Sequence, residues 1–242
     1  MGDPSRPGFL LVSVQGRSLH YPTGNPRDGH HHDFYYRDLG APSTNPDIAN
    51  VDRIVDQLSA SGAVDRSRIY LMGWSNGGYF GQMYAIARHA RPTPGGNRVA
   101  AAAVFTAADP FHNTSRSQVP SCQLDPYPRS TVPILLVSRA CDIVACDAAQ
   151  AQAFAANGFE TEPGQVARTW FEDLATKVHD PNVEWTIVSG IGTVVAQCTP
   201  VPPCSVAAAT LNHLRWPNGV GDQSGIDHEP AMLDFLRQHP LP

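Results

Sequence analysis

The stretch Arg68-Ile69-Tyr70-Leu71-Met72-Gly73-Trp74-Ser75-Asn76-Gly77-Gly78-Tyr79-Phe80-Gly81-Gln82-Met83-Tyr84 decides how the rest of the chain is read. Arg68 to Met72 reads as a strand, and Gly77 to Arg91 as a helix. Between them, Gly73-Trp74-Ser75-Asn76-Gly77 fits the G-x-S-x-G nucleophile elbow. The five-residue pattern alone arises by chance in on the order of one chain in ten of this length. Strand before and helix after give it weight. Such a turn presents a serine hydroxyl at a strand end, close to a helix N-terminus that favours developing negative charge. Side chains at the flanking glycines are expected to collide with neighbouring elements.

Working outward, strands and helices alternate. Phe9 to Val14 is an apolar, partly β-branched run that reads as a buried strand, and residues 15 to 46 read as a long loop. Asn45-Pro46-Asp47 supplies a helix cap, a proline suited to the first turn and an acid at the positive end. Ile48, Val51, Ile54, Val55 and Leu58 follow at helical spacing, and Gly62 stops that helix. Val99–Ala107 and Val132–Ser138 read as strands, and Asp147–Asn157 as an alanine-rich helix capped by Asp147. Val166, Trp170, Leu174 and Val178 mark one face of a further helix. Val183–Val188 and Val206–Leu211 read as late strands, and Glu229–Gln238 as a last helix. This order predicts an α/β fold in one domain over residues 1–242, with a mostly parallel sheet and helices on both faces.

A serine hydroxyl needs a base, and the base needs an orienting acid. In elbow-bearing folds the chain order is Ser, then Asp or Glu, then His. Asp142 lies just past the Val132–Ser138 strand, and Asp109 past the preceding one is its competitor. For the base, His213 follows the expected Val206–Leu211 strand, and His228 begins the last helix. The Asn76 amide is the expected oxyanion donor. Trp74, Tyr79 and Trp216 are candidates for the substrate pocket, with ordinary packing as the competing reading. His30-His31-His32 is expected to be a substrate-facing or solvated loop, because consecutive histidines diverge and no carboxylate or cysteine is spaced to complete a metal sphere.

A net charge of −5 and no basic stripe argue against a nucleic-acid partner, and no apolar run approaches a membrane span. The first residues lack a signal-peptide pattern. Of five cysteines, the short, proline-containing separation of Cys198 and Cys204 suggests one disulfide, and Cys141–Cys146 a second, with free thiols as the alternative. Disulfides favour an oxidising compartment, hence an extracytoplasmic or secreted protein. Cys122 is left over.

Val64-Asp65-Arg66-Ser67-Arg68-Ile69-Tyr70-Leu71-Met72-Gly73-Trp74-Ser75-Asn76-Gly77-Gly78 resembles the nucleophile region of polyhydroxybutyrate-depolymerase-like esterases, a group that includes feruloyl and acetylxylan esterases. His213-Leu214-Arg215-Trp216-Pro217 is similar to their histidine region with one extra residue, and Pro133–Asp142 to their acid loop, with Arg139-Ala140-Cys141 in place of the usual glycine. The resemblance implies an α/β-hydrolase fold and a serine carboxylic-ester hydrolase needing no cofactor. Its substrates would be short-chain, hydroxycinnamoyl or polyester-type esters, small or polymeric. Acyl transfer or peptide hydrolysis on the same three residues, or a silent binding scaffold, are the alternatives. The family's His-Gly oxyanion loop has no counterpart before Ser75. Either N-terminal strands are truncated, or Phe9–Val14 takes the central place and Gln15-Gly16-Arg17-Ser18 supplies the second donor through Gly16.

Overall fold

The computed structural model describes residues 8–19, 29–34, 38, 40–89, 97–111, 127–161, 163–188, 197–198, 204–221 and 224–242. A small antiparallel pair, β1 (Arg17–Leu19) and β2 (Gly29–His31), precedes the main unit. Then come α1 (Pro46–Ala60), β3 (Tyr70–Trp74), α2 (Asn76–Arg88), β4 (Ala101–Phe105) and β5 (Ile134–Arg139). α3 (Ala148–Ala156), α4 (Ala167–Asp173), β6 (Glu184–Val188), α5 (Val206–His213) and α6 (Glu229–Gln238) complete it. A wide helical turn, Leu174–Val178, continues α4.

The four long strands form a parallel sheet in the order β3-β4-β5-β6. Period-two alternation sorts its side chains onto two faces. Ala102, Val104, Ile134 and Leu136 join Tyr79, Phe80, Met83 and Tyr84 of α2, Ile48 and Val51 of α1, and Trp170 of α4. Ala101, Ala103, Phe105, Leu135 and Val137 face Met232, Phe235 and Leu236 of α6. α2 is apolar nearly all round because it lies between the sheet and α1, and Gly78 through Arg88 are buried. Its one buried cation is answered there: Arg88 Nε donates to Asp52 Oδ1 on α1 at 3.0 Å, and Tyr84 donates to the same oxygen at 3.0 Å.

Local signals explain most of these elements. The Asn45 side chain accepts from the Asp47 and Ile48 amides at 2.8 and 3.3 Å, starting α1 at Pro46. Asp147 caps α3 in the same way, through the Gln150 amide at 3.0 Å.

Two expected strands are corrected. Val206–Leu211 is part of α5, not a strand. Ser205 caps it through the Ala208 amide, and three successive alanines favour helix over sheet, signals that outweigh an apolar run too short to be diagnostic. Phe9–Val14 is not a strand either, and it is not buried: Phe9, Leu10, Leu11 and Val12 are 55, 57, 88 and 43% exposed. It pairs with no strand among the described residues, and Phe9 instead lies under the Arg237 guanidinium, 4.9 Å from its ring centre. Hydrophobicity marks a segment as fit for a ladder but supplies no partner. The central place offered to this segment is therefore unfilled by it, and β3 is an edge strand among the described residues.

Candidate active site

Three chain segments meet at the C-terminal edge of the sheet, where parallel strands commonly present ligand sites. Ser75 lies between β3 and α2, in the N-cap position of the helix, with φ 51°, a conformation strained for any residue but glycine. Its own amide continues the ladder to Phe105 O at 3.1 Å, while its carbonyl accepts the Gly78 and Tyr79 amides of the first helical turn at 2.8 and 3.0 Å. The turn is therefore fixed from both sides. A Cβ at Gly73 would stand 2.5 Å from Gly77 O, and one at Gly78 would stand 2.8 Å from Ala107 Cβ. At Gly77 a Cβ would meet nothing within 4 Å. The expected collision holds at Gly73 but is corrected at Gly77, since the second steric demand falls one residue later, on Gly78.

Ser75 Oγ lies 2.7 Å from His213 Nε2, and His213 Nδ1 lies 2.8 Å from Asp142 Oδ1. His213 is the last residue of α5, and both it and Asp142 are buried. Asp142 also accepts the Val144 amide at 2.9 Å through that oxygen, and its Oδ2 has no hydrogen-bond partner among the described residues. Burial pushes the Asp142 carboxyl up from the ordinary carboxylate range, against the pull of its bond to His213, the Val144 amide and the Arg139 charge. The carboxylate beside Nδ1 favours a proton there, which leaves Nε2 to accept from the Ser75 hydroxyl.

The competitors lie elsewhere. Asp109 is buried with its carboxylate accepting the Phe111 amide at 2.7 Å and the Tyr127 hydroxyl. His228 is the residue before α6, in the N-cap position.

The backbone around His213 is held by donors the sequence did not advertise. Trp74 Nε1 donates to His213 O at 2.8 Å. The fully buried Arg139 donates from Nε to Asn212 O at 3.0 Å and from Nη2 to Arg215 O at 2.6 Å. The Asn212 and His213 carbonyls in the last turn of α5, and that of Arg215 just beyond it, are thus bonded by the residue before Ser75 and by the last residue of β5. Thr106, directly after β4, places Oγ1 3.1 Å from His213 Nδ1.

The pocket candidates have structural partners. Trp74 is partly exposed, and its ring lies 6.2 Å from that of Trp216. Trp216 donates to Glu229 Oε1 at 2.6 Å and meets Phe105 edge-on at 5.6 Å. Tyr79 is buried in a stack on Phe34, with ring centres 5.0 Å apart. Asn76 is held through its side chain: Oδ1 accepts from His32 N at 2.8 Å and Nδ2 donates to His32 O at 2.9 Å. His32 also stacks on Phe80 at 4.9 Å, and burial pushes its pKa down despite the nearby Asp47. The segment on the elbow is therefore the end of the histidine triplet. Gly16 packs on the main chain of the neighbouring His31.

The disulfide pairing differs from expectation. The bridges are Cys141–Cys204 and Cys146–Cys198, not Cys198–Cys204 and Cys141–Cys146. The two short stretches lie against each other, so each cysteine meets one across the gap, with Cα atoms 5.4 Å apart in both pairs. Both bridges tie the loop of Asp142 to the approach to α5, and they fit an oxidising environment. Cys122 lies outside the described residues. Among the described residues no helix is long and apolar enough to cross a membrane.

The sequence matches no protein-family model, and no curated protein is significantly similar to it.

Proposed function

We propose that the chain is a serine carboxylic-ester hydrolase with an α/β-hydrolase fold, acting through an acyl-enzyme. The observation that carries this reading is the hydrogen-bonded line Ser75–His213–Asp142, at 2.7 and 2.8 Å, with the serine on a strained strand-to-helix turn. Ser75 Oγ bonds to the ester carbon while its proton passes to His213 Nε2, and the carbonyl electron pair moves onto oxygen. That oxyanion meets the Asn76 amide at the positive end of α2. Positive charge on the imidazole is opposed by the Asp142 carboxylate and sits at the negative end of α5. When the carbonyl reforms, the alkoxy oxygen leaves with the proton from Nε2. Water then loses a proton to Nε2 and adds to the acyl carbon, and the bond to Ser75 Oγ breaks as that oxygen takes the proton back from Nε2, releasing the acid.

The resemblance around Ser75 supports short-chain, hydroxycinnamoyl or polyester-type esters as substrates. The two disulfides support an extracytoplasmic setting. No step requires a metal or cofactor.

A fluorophosphonate and a panel of chromogenic esters of rising acyl length, run beside feruloyl, polyester, amide and alcohol-acceptor substrates, test the proposal. Ester turnover and labelling at Ser75, both lost in Ser75→Ala with the circular-dichroism spectrum unchanged, are the expected result. Folded wild-type protein that neither labels nor turns over any substrate overturns it in favour of a silent scaffold. Preference for amides or alcohol acceptors would overturn the ester assignment alone.

A further inference from the structure

We propose that Thr106 is a positioning residue for His213, holding the imidazole at Nδ1 as a second partner beside Asp142. The inference rests on the Ser75 hydrolase reading for its catalytic meaning, but its geometry stands apart from it. Thr106 Oγ1 is 3.1 Å from Nδ1, and the side chain is 1% exposed. Its φ is 48°. A β-branched residue in the left-handed region is an outlier, and such strain persists only where the surroundings enforce it. The surroundings do so here. The Thr106 amide stays in the sheet, donating to Val137 O at 2.9 Å, and the chain turns immediately after the last residue of β4. Glycine would occupy that turn without strain, so a threonine there invites a reason in its side chain.

The ring supplies the reason. Asp142 reaches Nδ1 with one oxygen only, Oδ1, and Oδ2 is engaged by no hydrogen bond among the described residues. A planar ring held at Nδ1 by a single acceptor can pivot about that bond, which would swing Nε2 away from Ser75. Thr106 adds an acceptor on the same N–H from another element, making a three-centre bond that restrains the ring in two directions. Ser75 and Thr106 are in this respect a pair. Both follow adjacent parallel strands, both are non-glycine residues at positive φ, and their hydroxyls lie at opposite ring nitrogens, 2.7 Å from Nε2 and 3.1 Å from Nδ1. The two strained turns form the two jaws around one imidazole.

Thr106→Val replaces the hydroxyl by a methyl of similar size and keeps the branched, strained backbone, whereas Thr106→Ser keeps the hydroxyl. The low-field proton resonance of His213 Nδ1–H, assigned by its loss in His213→Ala, reads the bond directly without any substrate. Thr106→Val is expected to move that resonance and speed its exchange with water. It should slow fluorophosphonate inactivation and kcat about fivefold, as the loss of one hydrogen bond implies, with KM within about twofold of wild type. Thr106→Ser is expected to restore the resonance and most of the rate. A resonance and rate unchanged in Thr106→Val overturn the proposal, as does a loss that appears wholly in KM. Should the valine variant fail to fold, Thr106→Ala with wild-type resonance and rate overturns it equally. Wild-type protein inert to the fluorophosphonate would refute the hydrolase reading alone, since the ring proton still reports on Thr106.

Discussion

Asp180→Asn is expected to stabilise the protein at pH 8 and to destabilise it slightly, by about 1–2 kcal/mol or less, at pH 4. Asp180 is 2% exposed, just past the wide turn that extends α4. Its Oδ1 accepts the Asn182 amide at 2.8 Å, and its Oδ2 has no hydrogen-bond partner among the described residues. Burial pushes its carboxyl from 3.8 up to about 7, against the single opposing pull of the Asn182 amide. Between those values the folded state holds a proton that the unfolded chain has released, so stability present at low pH is lost as pH rises through about 7. A rise of about 3 units corresponds to about 4 kcal/mol at most. Asparagine removes the charge and keeps the acceptor for Asn182, but it leaves a buried NH2 unpaired at about 1–2 kcal/mol. The net gain at pH 8 is then about 2–3 kcal/mol, or roughly 4–12 °C in Tm for a chain of this size. At pH 4 the cancelled charge is absent in both proteins, and a loss of about 1–2 kcal/mol or less is expected. Urea titrations of both proteins at the two pH values measure the difference, in which all other titrating groups cancel. A difference that does not change between pH 4 and pH 8 refutes the argument.

Trp74→Phe should lower kcat about three- to tenfold with little change in KM, because it removes the donor to His213 O and keeps the aromatic contact with Trp216. A rise confined to KM would return the indole to the acyl pocket. Peptide mapping of oxidised protein should recover Cys141–Cys204 and Cys146–Cys198, and reduction should abolish activity at lower urea than it melts the sheet. Recovery of a Cys198–Cys204 peptide would contradict that pairing. His228→Ala should retain activity within about twofold, whereas a loss as large as that of Ser75→Ala would transfer the base to His228.

The elbow was legible because a local steric rule writes it. Gly73 must be glycine to let Gly77 O approach, and the strand and helix around Ser75 follow from periodicity within about 15 residues. Asp142 and His213 were legible as positions, though His213 was expected at a strand end and stands at a helix end. Ser205 and Ala207–Ala209 carried the signal for that helix, and the apolar run obscured it. Thr106 and the caps from Trp74 and Arg139 had no local signature. Each acts across more than 70 residues of chain on a carbonyl or ring nitrogen, and no spacing rule encodes which distant group an indole or guanidinium will face. The cysteine partners were illegible for the same reason, since nearness in sequence was mistaken for nearness in space.

The nested bridges also decide how the molecule would respond to force. Tension applied at the two termini reaches Cys141 and crosses to Cys204 through sulfur, bypassing a stretch of 63 residue steps that holds α3, α4 and β6. That bypass removes about 210 Å from the length to which the oxidised chain can be drawn, a length recovered on reduction. Asp142 lies inside the shielded stretch, while Ser75 and His213 lie on the loaded arms. Pulling would therefore strip Ser75 and His213 from Asp142, whose own loop carries no load.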